Sequence, residues 1–300
     1  MIRKQIETLI HDFWENSPEN SLNNGRGEKA WDAPLFGYAA GADPLFAQIK
    51  SDIGPFYWSP EEAFALAFPE SPAPAEELSV VVWILPQTEA TLADQSEATK
   101  VPAERWARSR DFGEKFNSAL RLHVAESLTA AGFSAVAPER LPGFAYQTSD
   151  RLGLASNWSE RHTAYIAGLG TFGLSDGLIT ERGKAVRIGS VVVRTVLPVD
   201  ERPYPDHQSW CLWYAEGRCG ACIRRCPPKA ITAAGHDKEL CYSYIREMTA
   251  PYSHATYGTD ATSCGLCQVA IPCMRKNPMA GRRPSVPVKK IKSGNSFDST

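Results

Sequence analysis

No cysteine precedes Cys211 in this 300-residue chain. A secreted protein stapled by disulfides would spread its bridges along the sequence, so that class is a poor match. Long apolar runs are also missing. The longest lies near Val80–Leu85, far short of the roughly 18 residues that a membrane span needs. The N-terminus, MIRKQIETLIHDFWENS, alternates charge with apolar residues at helical spacing. It has neither the uninterrupted apolar stretch of a secretion signal nor a twin-arginine pair. A cytoplasmic chain with no membrane association is the expectation. There is no P-loop, no GxGxxG and no CxxCH, which removes a Walker-type phosphate cradle, the dinucleotide fingerprint and covalent haem.

What is present is ordinary globular material, 43% hydrophobic and 22% charged, enough for a large domain and a small one. Charge is unevenly spread. From Cys211 onward there are 13 Lys and Arg against 6 Asp and Glu, a formal +7, leaving 19 against 28 before it. The basic end reads first as compensation for anionic thiolates. The other reading is steering of an acidic electron donor or of nucleic acid.

All eight cysteines fall between 211 and 273: Cys211, Cys219, Cys222 and Cys226, then Cys241, Cys264, Cys267 and Cys273. Crowding of this kind points to metal. Zinc competes, since CxxC pairs suit its tetrahedral site. Iron–sulfur is favoured because Cys219-x2-Cys222-x3-Cys226-Pro227 is the tail of the bacterial ferredoxin run, in which the last cysteine serves the other cluster. Cys264-Gly-Leu-Cys267 and Cys273 repeat the theme. The run's first cysteine would fall at Glu216, so Cys211 is taken to supply that ligand across a longer loop, with a bystander role as the alternative. Crossing the ligands gives one four-iron–four-sulfur cluster on Cys211, Cys219, Cys222 and Cys273. The other rests on Cys226, Cys241, Cys264 and Cys267.

Before residue 211 the pattern is mixed α/β. A helix is expected over 2–14 and a loop-rich stretch up to Pro74. LSVVVWIL at 78–85 reads as a buried strand. A long helix is expected over 104–131, with Phe116, Leu120, His123, Val124 and Leu128 on one face and Gly132 ending it. Further strands are expected at 134–137 and 187–197. The tail from Gly281, with its KKIK patch, reads as an extended polar arm. The segment 159–195 carries glycines at 168, 170, 173, 177, 183 and 189, a density that permits close backbone approach to a ligand. It reads as a cofactor pocket facing the clusters, or else as a plain glycine-rich loop. Glu160, Arg161, His162 and Tyr165 precede the glycines as proton donors or anchors.

These residues resemble the epoxyqueuosine reductases and, in overall plan, the reductive dehalogenases. The likeness rests on ER-x2-A-x2-AGLG-x2-G-x4-LI, here Glu160, Arg161, Ala164, Ala167–Gly170, Gly173, Leu178 and Ile179. Gly189 and Ser190 before a strand, Cys241-Tyr-Ser-Tyr and the paired cysteine motifs add to it. It implies an α+β architecture: a nitroreductase-like domain over 1–205, a two-cluster ferredoxin-like domain over 206–278 and a tail over 279–300. It also implies a base-off cobalamin held near Glu160, Arg161, Gly168, Leu169, Gly170, Gly173 and Ser190. The clusters would feed it electrons, drawn from a low-potential donor such as ferredoxin or flavodoxin, for two-electron reduction of an organic substrate.

Several positions depart from the family. The aspartate that acts as general acid before the ER pair is missing from RLGLASNWSERH. The lysine after the glycine loop is Leu174, and Cys267-x5-Cys273 replaces a shorter spacing. A small organic substrate is therefore expected in preference to tRNA, with Asp150, His162 and Tyr165 as candidate acids. Two alternatives stand beside this: a non-catalytic electron-transfer or maturation partner, and a true epoxyqueuosine reductase with a relocated acid.

Overall fold

The structure, a computed structural model, describes residues 2–282. Its frame is a four-stranded antiparallel sheet in the order Leu35–Ala40, Ser79–Pro86, Val186–Val193, Ala135–Val136. The opening helix α1 (Ile2–Asn16) is followed by β1 (Leu35–Ala40), α2 (Pro44–Ile53) and α3 (Pro60–Ala67). The stretch expected to be loop-rich thus holds a strand and two helices. Its prolines misled the reading: Pro44 and Pro60 each open a helix, where a missing N–H costs nothing. Ser59 and Glu62 complete a capping box at the second.

Strand β2 (Ser79–Pro86) is buried along its whole length because both faces of the sheet are covered. Val80, Val82 and Ile84 enter one core with Phe46, Tyr57, Phe64 and Trp158. Val81, Trp83 and Leu85 enter the other with Ile6, Ile10, Phe116 and Leu120. At about 1.5–3 kcal/mol per buried large apolar side chain, this strand anchors the fold. Helix α4 (Glu89–Glu97) leads to the long α5 (Glu104–Ala130), which buries Phe116, Leu120, Val124 and Leu128 as its periodicity requires, while His123 stacks on Phe13 at 4.5 Å. Then come β3 (Ala135–Val136), the hairpin β4 (Tyr146–Ser149) and β5 (Gly153–Ser156), α6 (Glu160–Ile166), the small pair β6 (Thr171–Phe172) and β7 (Leu178–Ile179), and β8 (Val186–Val193).

The cysteine-bearing segment is built from short pieces: α7 (Leu212–Glu216), α8 (Ala221–Arg225), β9 (Ile231–Thr232), β10 (Gly235–His236), α9 (Lys238–Tyr244) and α10 (Ala250–Tyr257). It docks on α4 and α5 through polar contacts to main chain. Gln95 Nε2 donates to the Cys264 carbonyl at 2.8 Å, a guanidinium N–H of Arg225 to that of Ala98 at 2.8 Å, and the Tyr244 hydroxyl to that of Lys100 at 2.7 Å. Cys222, Cys226, Cys267 and Cys273 also pack against the first core. Met279 is buried, and the arm expected beyond it falls, from residue 283, outside the described residues. Among the described residues no helix is long and apolar enough to cross a membrane.

Candidate functional site

The eight cysteines come together as two sets of four. Cys211, Cys219, Cys222 and Cys273 line one small cavity. Cys226, Cys241, Cys264 and Cys267 line a second, of about 350 Å3. Local backbone explains the grouping. Cys211 caps α7, Cys219 and Gly220 both take positive φ, and Cys222 and Cys226 follow within one helical turn. Gly265, with φ of 70°, turns the chain between Cys264 and Cys267 with the Trp106 indole packed against it so closely that a Cβ would lie 2.1 Å from the ring. Glu216, at the position where the ferredoxin run has its first cysteine, pairs with Arg218 and lines neither cavity.

Each set has a tryptophan beside it. The Trp213 indole lines the first cavity and the Trp106 indole the second, and both N–H groups are buried without a hydrogen-bond acceptor among the described residues. The hydroxyl of Ser263, next to Cys264, is in the same state. Unpartnered buried donors are costly and call for an explanation. Burial, with the neighbouring thiols, pushes Cys222 and Cys273 up to about 11 and Cys241 and Cys264 up to about 12.

Lys184 lies between the sets and lines both cavities. Its ammonium donates to the Ser175 hydroxyl. Burial works against its charge, but Cys273, Cys267, Cys222 and Cys211 outweigh it and raise its pKa. Its own N–H donates to the Cys273 carbonyl at 2.9 Å.

The larger cavity carries the titratable groups. Arg121, fully buried, is ringed by Glu114, Glu139 and Glu160 at 3.1, 2.5 and 3.1 Å. Burial raises the Glu160 carboxyl to about 7, with Arg121 pulling it down and Glu139 pushing it up. Arg121 holds Oε1, while Oε2 is buried and has no hydrogen-bond partner among the described residues. Glu114 differs: Arg187 and Arg121 overcome its burial and hold it near 2. His236 also lines the cavity, its Nδ1 3.1 Å from the Asp176 carboxylate.

The glycine segment is only partly a cavity wall: Gly177 lines the large cavity, while other glycines face the chain. A Cβ on Gly168 would lie 2.7 Å from the Glu201 carbonyl, and one on Gly170 2.3 Å from that of Ile179. Their close approach is to the chain itself. Leu169 packs on Gly37, and Ser190 is fully buried, accepting from Trp158 Nε1 at 3.0 Å. Gly173 borders the first cysteine set, and Gly183 makes room for the Met274 carbonyl. Of the expected cofactor anchors, only Glu160 and Arg161 line the large cavity.

The expected acids are also elsewhere. His162 and Asp176 line a separate cavity of about 80 Å3, and burial, with Arg161, lowers the His162 pKa to about 3. Tyr165 is buried and stacked on Tyr204, while Asp150 is exposed in the β4–β5 turn. Neither lines the large cavity. His236 and Glu139 carried no sequence signal, because only the fold brings them to Glu160.

No protein-family model matches the chain. Over 129 residues it is 33% identical to the epoxyqueuosine reductase of Vibrio cholerae serotype O1. The likeness is to epoxyqueuosine reductase. It covers 40% of this chain and 32% of that enzyme, so the match spans about a third of the relative's length. In fold, the chain superposes on a catabolic reductive dehalogenase solved with 3-bromo-4-hydroxybenzoic acid, with TM-score 0.52 and 17% identity over 92% of this chain and 37% of that one. A reductive dehalogenase whose structure suggests a mechanism for B12-dependent dehalogenation gives TM-score 0.51 and 18% identity, over 83% of this chain and 31% of that one. Both kinds of protein are reductases; the chain resembles the first in sequence over the matched residues and shares its fold with the second.

Proposed function

We propose that the chain is an iron–sulfur reductase in which two four-cysteine sets pass electrons into the large cavity, where an organic substrate takes up two electrons and a proton. One observation carries this reading: the second cysteine set and Glu160 line the same cavity. Each set has the four thiols that a four-iron–four-sulfur cluster takes. Each also has an indole N–H for which a cluster sulfur is a fitting acceptor. Ligation would release the protons that burial holds on these thiols.

The family's cobalamin fits the same cavity in kind. Ser156, Ser159, Ser175 and Gly177 give a lining poor in bulk, Phe144, Trp158 and Ile188 an apolar one, and Gln87 Oε1 is a buried acceptor without a partner. These residues would hold the macrocycle, which when bound supplies low-valent cobalt chemistry, while the protein binds and orients it. Glu160 supplies the proton. With a pKa near 7 it is part protonated at neutral pH, where a general acid is most effective. Arg121 fixes one oxygen and leaves the other to carry the proton. His236, hydrogen-bonded to Asp176, lines the same cavity.

Epoxyqueuosine reduction with the acid moved to Asp150 or His162 draws no support from where those residues lie. Anaerobic purification with iron, sulfide and corrinoid analysis tests the proposal, followed by turnover with a low-potential donor. Two reducible clusters and Glu160-dependent turnover are expected. A protein that binds zinc in place of iron, or that has full iron and no reductase activity on any organic acceptor, overturns it.

A further inference from the structure

Five basic side chains line the large cavity: Arg110, Arg121, Arg161, Lys184 and Arg187. Four are accounted for. Arg121 has its three carboxylates, and Arg187 pairs with Glu114. Arg161 donates to the Asp176 carbonyl at 2.6 Å, and Lys184 faces Ser175 and the thiols. Arg110 makes no hydrogen bond or ion pair with any described residue. Arg187 repels it and burial adds to the effect, lowering its pKa to about 10. Glu114, one turn further along α5, is engaged by Arg187 and Arg121 instead.

Arg110 is half-buried in the cavity wall, so its guanidinium stays open to the cavity with no side chain to neutralise it. Its planar fork matches two oxygens of a carboxylate or phosphate, and a neutral amide offers it much less. Tyr146, lining the same cavity, brings a hydroxyl near it. We infer that Arg110 is an oxyanion anchor, holding a carboxylate or phosphate group of the molecule that enters the cavity. This rests on the cavity being the substrate chamber proposed above. The oxyanion has two sources: an acidic organic substrate, or the phosphodiester of a base-off corrinoid's nucleotide arm.

The test uses cluster-loaded protein and two matched pairs of probes, with binding read from tryptophan fluorescence. Benzoate against benzamide reports a substrate-type carboxylate, and hydroxocobalamin against cobinamide, which lacks the phosphodiester, reports the corrinoid arm. The member bearing the oxyanion in at least one pair, benzoate or hydroxocobalamin, should bind about tenfold or more tightly. Arg110→Met should abolish that preference and Arg110→Lys should keep part of it. Preference in the first pair identifies an acidic substrate, and preference in the second the corrinoid. Equal binding within both pairs by the unaltered protein, or a preference that survives Arg110→Met, overturns the inference. Iron content and cluster reduction, measured on the same samples, test the reductase reading separately, because Arg110 makes no hydrogen bond with any described cysteine. If Arg110→Met does not fold, Arg110→Gln takes its place, and the selectivity of the unaltered protein still decides.

Discussion

The two cysteine sets have the same number of thiols and one tryptophan each, yet their surroundings differ. The first is closed in by Trp213, Gly173 and Lys184, with no carboxylate in its lining. The second opens onto a cavity that holds Glu160, Glu139, His236 and several arginines. A metal group in the first could exchange electrons but would meet no carboxyl or imidazole. One in the second would stand beside both. The proposed division is thus between a relay and a site that faces chemistry, and it follows from what each set shares its walls with.

The largest expected effect comes from removing a thiol. Cys264→Ser should abolish turnover and leave about half of the roughly eight irons that two such clusters hold. If iron stays complete, the second set is misassigned. Cys211→Ser is the matching change in the first set and should cost the other half; full iron would make Cys211 a bystander. Next is Glu160→Gln, which should lower turnover by about 10²–10⁴-fold while iron content and spectra stay unchanged. An undiminished rate would make Arg121 and its carboxylates structural only.

Lys184→Met should lower the reduction potential of the first set more than that of the second, because three of the four thiols that raise its pKa belong to the first. A shift of about 60 mV corresponds to a tenfold change in a one-electron equilibrium. Equal shifts in both signals of an EPR redox titration would remove Lys184 from the comparison. Trp213→Phe and Trp106→Phe should each lower the potential of their own set by less, through loss of one N–H donor.

The smallest effect is on stability against pH. Glu160 holds its proton more tightly folded than unfolded, so its contribution to stability falls as pH rises from about 4.5 to 7. His162 has the opposite sign, favouring the fold as pH rises from about 3 to 6.5. Denaturant titrations of Glu160→Gln should therefore show stability climbing more steeply between pH 4.5 and 6.5 than in the unaltered protein.

Much of this was legible before any coordinates. The long helix, the β2 run and the cysteine spacing are local patterns with strong periods, and the crossed grouping follows from the ferredoxin spacing. The acid is legible only in part. Glu160 reads from the sequence as a proton donor or anchor, and the role proposed for it depends on Glu139 and Arg121, which approach it from another turn and another helix. The glycines misled for a related reason. Glycine marks close approach without saying to what, and here the neighbours are the carbonyls of Glu201, Ile179 and Met274.

The crossing of the cysteine sets also bears on how the protein is made. Cys226 leaves the first motif to join the second set, and Cys273 returns from the far end to complete the first. Neither set can close until the whole of 211–273 has folded back on itself, so the two metal groups should be acquired together. Oxidative loss of one should loosen the strand that holds the other. The segment would then behave in maturation as one cooperative unit, and a half-filled form would mark a chain that has lost a ligand thiol.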